Sequence, residues 1–294
     1  EIVNSTLSGD DSPAAFEETK AALKTMGDTI LTSIENCIGK KSLDNINEIA
    51  INECGELFGI PWAALIWHDS YLIESFLIKI VPNFHYGQSC DSFKLHKESK
   101  FLHLSSDSQD LRFVASENKH LEEAFGSQYR RLDSQHSIYG GLVEGSVGLQ
   151  QARMNLVHFT GHGVYDSNNP SRSEYVLPDD SFRLNGHQLH LPTYKNVGLV
   201  FLNICESGRH TPVGQADFIG LDAPFYMRMV PNIVHCLWPV RDEFATQFSR
   251  VFYRYLLAGE SPACALRSTQ LELAKDESEK PLPEWACYKI CSPI

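Results

Sequence analysis

Asn155-Leu156-Val157-His158-Phe159-Thr160 runs into Gly161-His162-Gly163, and Val197-Gly198-Leu199-Val200-Phe201-Leu202-Asn203-Ile204 runs into Cys205-Glu206-Ser207-Gly208. Each is a short apolar run rich in β-formers that stops at glycine or turn residues. That is the pattern of a buried strand emptying into a loop at its C-terminal end. In open α/β sheets ligands bind at that edge. Two such strands side by side would deliver an imidazole and a thiol to one place. Taken singly, a cysteine after an apolar strand is ordinarily a small buried hydrophobe, and a histidine before glycine an ordinary loop residue. Taken as a pair they read as nucleophile and base.

Cysteine-dependent peptide cleavage needs a thiolate, or a base able to make one, and donors for the oxyanion. Cys205 is the candidate nucleophile and His162 the candidate base. A free thiol titrates near pH 8.5, so a neighbouring imidazole raises its reactive fraction at neutral pH. Gly163 lets the backbone approach a substrate, and its N–H with that of Cys205 is the candidate oxyanion hole. Glu206, Asp217 and Asp222 follow the nucleophile and are candidates for a pocket taking a basic P1 side chain, although surface charge is their plainer reading. Among the other histidines, His158 reads as a satisfied core residue and His187, His190 and His210 as solvated loop residues. Cys236 and Cys264 read as core, and Trp238 as packing.

Before these strands, the pattern predicts helices over 14–26 and 29–38, interrupted at Gly27-Asp28, and a third from Leu43 to Gly59. Strands are predicted at Ile60–Trp67, Phe76–Pro82 and Phe101–Leu104, and a helix over 118–126. Residues 131–148, with glycines at 140, 141, 145 and 148, read as a flexible connection, and 165–192 as a long polar excursion. After the cysteine strand come a helix at 221–229, a strand at 232–239, helices at 242–258 and 261–275, and a last strand at 285–291. Strands alternating with helices from about residue 100 imply right-handed crossovers and a mostly parallel sheet covered on both faces.

Composition bounds the function. The 294 residues are 43% hydrophobic and 21% charged, ordinary for a globular chain with room for a sizeable core. No apolar stretch approaches the roughly 18 residues of a membrane helix, and Glu1-Ile2-Val3-Asn4 opens no secretion signal. A net charge of −12 argues against broad contact with nucleic-acid phosphates. The eight cysteines are irregularly spaced, which points to free thiols in a reducing, cytoplasmic compartment. No cysteine or histidine pair has a second half at zinc-finger spacing, so no metal is expected.

Gly161-His162-Gly163 and Cys205-Glu206-Ser207-Gly208 resemble the two catalytic blocks of the CHAT family of caspase-like, clan CD cysteine proteases. Ile60-Pro61-Trp62-Ala63-Ala64-Leu65 is similar to that family's early Pro-aromatic strand, and Leu237-Trp238-Pro239-Val240-Arg241-Asp242 to its Leu-Trp-Pro block. The stretch from Phe252-Tyr253 through Gly259-Glu260-Ser261-Pro262-Ala263-Cys264-Ala265-Leu266 resembles its penultimate helices, and Trp285-Ala286 its last strand. The resemblance implies a caspase-like α/β sandwich, a His162–Cys205 dyad, and endopeptidase action on a protein substrate with neither metal nor organic cofactor. It divides the chain into a helical lead-in, 1–42, read as the end of a repeat region, and a protease domain, 43–294, with lobes 43–99 and 100–294. Ile204 departs from the Ala or Gln that caspase-like proteases commonly carry before the nucleophile. A CHAT protease that partners the type III-E CRISPR effector is also similar. That likeness implies an activating protein or ribonucleoprotein partner and a part in antiviral defence; the charge and apolar pattern above lead us to expect no direct nucleic-acid binding and no membrane span. A catalytically silent scaffold that binds protein partners is the alternative.

Overall fold

The computed structural model describes residues 13–39, 45–83, 86, 93–138, 154–192, 194–213, 217–275 and 283–294. Its first element is a single helix, α1 (Pro13–Ile38), which runs unbroken through the expected interruption at Gly27-Asp28. Glycine inside a helix costs about 1 kcal/mol relative to alanine. Here the site requires it, because a Cβ on Gly27 would overlap the carbonyl group of Ile66. The expected helix from Leu43 to Gly59 is instead an extended segment, β1 (Glu48–Ile51), and a 3-10 turn at Gly55–Leu57. The expected strand at Ile60–Trp67 is a buried 3-10 turn, Trp62–Ala64, followed by β2 (Ile66–Trp67), which pairs with β3 (Ser70–Tyr71).

The chain continues through α2 (Leu72–Ser75), β4 (Leu77–Ile80), β5 (Lys100–Leu104), α3 (Val114–Phe125), β6 (Tyr129–Leu132) and α4 (Gln135–Ile138). The glycine-rich connection expected at 140–148 lies outside the described residues. Next comes β7 (Met154–Val164), which carries His162 within it rather than stopping at Gly161. The polar excursion at 165–192 is ordered: β8 (Glu174–Val176) pairs with β9 (Arg183–Asn185), and α5 (Gly186–His190) follows, capped by the Asn185 side chain. Then come β10 (Leu199–Ile204), β11 (Thr211–Val213), β12 (Asp217–Ile219), α6 (Ala223–Met227), β13 (Asn232–Cys236), α7 (Asp242–Leu257), α8 (Pro262–Leu273) and β14 (Tyr288–Cys291).

Among the described residues ten strands make one sheet, ordered β1-β4-β14-β13-β10-β7-β5-β6, with β8 joined to β7 and β9 to β8. From β13 through β10, β7 and β5 to β6 every pairing is parallel. The direction reverses once along this order, between β13 and β14, beyond which β14, β4 and β1 are parallel to one another. Every residue of β10 is buried, as a parallel strand covered on both faces requires. On one face His158 and Phe201 pack against Tyr253 and Phe252 of α7. On the other, Phe159 packs against Phe225 of α6 and Tyr175 of β8. The mostly parallel sheet with helices on both faces is therefore as expected. No described helix is long and apolar enough to cross a membrane.

Candidate active site

β7 and β10 are adjacent, and their register runs from Leu156 opposite Leu199 to Gly161 opposite Ile204. His162 follows Gly161 within β7, and Cys205 follows Ile204 as the first residue of the turn after β10. Strand alternation puts His162 on the same face as Thr160, the face covered by α7. Past that point β7 changes partner: His162, Gly163 and Val164 pair antiparallel with Val176, Tyr175 and Glu174 of β8. Gly163 is forced by crowding, since a Cβ there would overlap the Cys205 carbonyl oxygen and press on Cγ2 of Ile204. Gly161 is crowded likewise, by the Val176 carbonyl and the Tyr175 ring. Ile204 is fully buried and acts as filler behind the pair.

The turn that carries the thiol is fastened from behind. Ser207 donates to the Leu202 carbonyl at 3.2 Å and accepts from the Cys236 N–H at 2.9 Å. The Gly208 N–H donates to the Cys236 carbonyl at 2.9 Å. Glu206, directly after Cys205, takes φ +57°, a left-handed conformation uncommon for a residue with a side chain. Burial pushes the Cys205 thiol up to about 12, the neighbouring Cys236 adds to the shift, and a backbone hydrogen bond from Val240 opposes it. Asp242, the first residue of α7, accepts from the Phe113 N–H at 2.7 Å. Burial raises its pKa, while the hydrogen bond and the nearby His162 favour its charged form.

Below the pair lies a closed polar network. Glu117 of α3 accepts from Thr160 (2.7 Å), Asn203 (2.9 Å) and Ser249 (2.5 Å). Burial works against its charge, yet His158, His103 and the Ser249 hydroxyl hold its carboxyl down at about 2. His158 meets Tyr253 at 2.9 Å and Thr160 at 3.1 Å, and His103 meets Tyr129 and Thr160 at 2.8 Å each. Thr160 and Asn203 are register partners, so one buried carboxylate clamps both strands just beneath the dyad positions. Single-residue reasoning identified His158 as core but had no means of finding Glu117, Thr160 or Asn203 as a unit. Asp242 was visible only as the end of the Leu-Trp-Pro block.

Of the acidic pocket candidates, Glu206 and Asp222 are each engaged with other residues. Asp222 is wholly buried, facing His210 Nε2 (2.8 and 2.9 Å) and His235 Nδ1 (2.8 Å), which withdraws it from any P1 pocket. Glu206 is ion-paired with Arg209, whose guanidinium lies 4.8 Å from the Tyr165 ring centre. Asp217 stands opposite Val213 in the β11–β12 hairpin, and its side chain lies outside the described residues. His210 is not solvated, because Asp222 draws it under cover. His187 is exposed as expected, and Trp238 is packed in the core. Cys264, expected in the core, lies on the exposed side of α8.

The profile of the CHAT domain family matches residues 20–293. The chain belongs to the CHAT domain family. Among solved structures, two of the Saccharomyces cerevisiae separase–securin complex, at 2.6 and 3.0 Å resolution, are similar, each with a TM-score of 0.53. They share 15% and 16% identity over 80% and 81% of the CHAT chain. The chain spans 15% of the length of each matched separase chain. At that identity the likeness establishes the fold: this CHAT domain is a caspase-like α/β sandwich. Compared with curated proteins, the chain finds no match.

Proposed function

We propose that this CHAT domain is a thiol endopeptidase acting on a protein substrate. Cys205 attacks the scissile carbonyl, and His162 takes the thiol proton and returns it to the leaving amine. The amides of Cys205 and Gly163 hold the oxyanion. The Asp242 carboxylate, at the start of α7, is the acidic group whose charge the nearby His162 favours. No metal or organic cofactor takes part in this chemistry. The observation that supports this reading is the pairing of Gly161 with Ile204 on parallel neighbours, the residues directly before His162 and Cys205. Residues 43–294 make the protease, with lobes 43–99 and 100–294, and 1–42 its helical lead-in. The described cysteines are all free of disulfides, in keeping with a reducing, cytoplasmic setting.

Activation by a partner is part of the proposal. Burial pushes the Cys205 thiol up to about 12, and a partner that brings the imidazolium closer to it would favour the thiolate. The partner is a protein or ribonucleoprotein, and an RNA-guided CRISPR effector in antiviral defence fits the sequence resemblance. The same raised thiol and Ile204 favour a second reading, a silent CHAT scaffold that binds protein partners. Labelling with a peptidyl thiol electrophile, with and without candidate partners, separates the two. The enzyme is modified selectively at Cys205, and Cys205→Ala and His162→Ala each abolish cleavage with the fold intact. Full cleavage by Cys205→Ala overturns the proposal.

A further inference from the structure

A second cluster of buried ionisable groups lies behind the nucleophile turn. Asp222, at the start of α6, His235 on β13 and Cys291 on β14 are each 1% exposed or less. One ligand atom from each, a carboxylate oxygen, a ring nitrogen and the sulfur, lies within 4.8 Å of the other two. His235 and Cys291 share one face of the antiparallel β13–β14 pair, with Cys291 opposite Ile233 and His235 opposite Lys289. His210, five residues after the nucleophile, holds the same carboxylate from outside, its Nε2 2.8 and 2.9 Å from the two oxygens.

The chemistry of this cluster differs from that of the network around Glu117. His103, Glu117 and His158 also lie within ligand distance of one another. Every ring nitrogen there has a hydroxyl partner, and the carboxylate takes three donors, so that network is complete as a hydrogen-bonded unit. His235 is the opposite case. Its Nδ1 has only the Asp222 carboxylate beside it, at 2.8 Å, and its Nε2 makes no hydrogen bond among the described residues. A buried ring nitrogen left unsatisfied is costly and uncommon in native proteins. The nearby Lys289 offers Asp222 no compensation, because it is ion-paired with Glu53.

We propose that Asp222, His235 and Cys291 bind one divalent metal ion of the zinc class, with His210 orienting the carboxylate from outside. Nitrogen, oxygen and sulfur donors select a borderline-soft ion over magnesium or calcium. A hydrogen-bonded outer partner on a ligating carboxylate is the usual support of such sites. Binding replaces the Cys291 thiol proton, which leaves to solvent. The dication, one carboxylate and one thiolate then sum to zero charge, the balance a site this buried requires. The ion joins the end of the segment that follows Cys205 to both strands behind it. It lies outside the proposed cleavage chemistry and does not depend on that reading.

The test uses the whole chain with Cys205→Ala and His162→Ala, so that the dyad cannot hold the metal. Purified from zinc-containing medium and dialysed, it is expected to retain about one zinc per chain. After stripping with a chelator, cobalt(II) should produce a thiolate-to-cobalt charge-transfer band, and zinc should raise the melting temperature. Cys291→Ser should lose the band, and His235→Gln and Asp222→Asn should each weaken zinc binding at least about tenfold. Circular dichroism of the chelated variants checks that they fold. A dyad-free chain that takes up neither zinc nor cobalt overturns the proposal, as does a cobalt–thiolate band that survives Cys291→Ser.

Discussion

The main chain of Gly163 lies so close against the carbonyl of Cys205 that no side chain fits between them. The obstacle is backbone on both sides, which cannot swing aside as a side chain would. Gly163→Ala should therefore push the histidine strand off the cysteine strand. We expect a loss of about 1–3 kcal/mol in stability by denaturant titration. A displacement of that kind near a reacting pair should reduce cleavage by roughly 10²-fold or more. Unchanged stability of Gly163→Ala, or undiminished activity in the proposed cleavage, would show that this close approach is not needed.

The Cys205 thiol sets a dependence on alkaline pH. Its folded pKa is pushed up to about 12, above the roughly 8.5 of an unfolded cysteine. Between those values the unfolded chain binds fewer protons than the folded one. The stability contribution is thus complete below about pH 8.5 and is lost as pH rises towards 12. Cys205→Ser should make the alkaline decline of the melting temperature shallower. Alkylation of Cys205 in the resting protein should keep accelerating beyond pH 10, and an activating partner should bring that profile towards neutrality. A resting profile that levels off near pH 7 contradicts this.

Glu117 gives the opposite sign. Its folded carboxyl is held at about 2 against an ordinary 4.5, so its contribution is present above about pH 4.5 and is lost as pH falls towards 2. For a carboxylate 1% exposed this amounts to about 3 kcal/mol. Glu117→Gln should lose that amount at pH 7, and the gap to wild type should narrow as the solution is acidified below about pH 4.5. Urea midpoints across that range measure it, and a pH-independent gap would show that shape rather than charge is what the site needs.

Thiol labelling should separate exposure from reactivity. Cys37, Cys54 and Cys264 are exposed, whereas Cys236, Cys287 and Cys291 are buried. A small alkylating reagent should modify the first three ahead of Cys205, and the buried three only on unfolding. A peptidyl electrophile should reverse the order between Cys205 and the exposed three once a partner is bound. Mass spectrometry of tryptic peptides reads both outcomes.

The two central strands were legible because Leu156–Phe159 and Leu199–Ile204 are apolar on both faces, a pattern that buried parallel strands produce directly. The candidate pair was legible for the same reason, since strand ends are marked by glycine. The unbroken course of α1 was not, because the gap at Gly27 is filled by the chain near Ile66, 39 positions away (66 − 27). Leu43 to Leu57 carries apolar residues at helical intervals, but its extended segment pairs with β4, and that partner overrides local periodicity. The segment at 165–192 looked like loop because its strands are three residues long and mostly polar. What orders it is Tyr175, whose hydroxyl donates to the Leu104 and Thr160 carbonyls at 3.0 Å each. His210 and Asp222 were misread because each hides the other's polarity, a cancellation that single residues do not display.

β7 belongs to two assemblies at once. Up to Gly161 it is welded into the central sheet, and from His162 onward it pairs antiparallel with β8, the first leg of the β8–β9 hairpin. The thiol, in contrast, sits on a turn tied to β13. The imidazole of His162 thus sits where the central sheet hands over to the β8–β9 pair. Whatever binds β8 and β9 from outside therefore touches the strand that carries His162 before it touches the turn that carries Cys205.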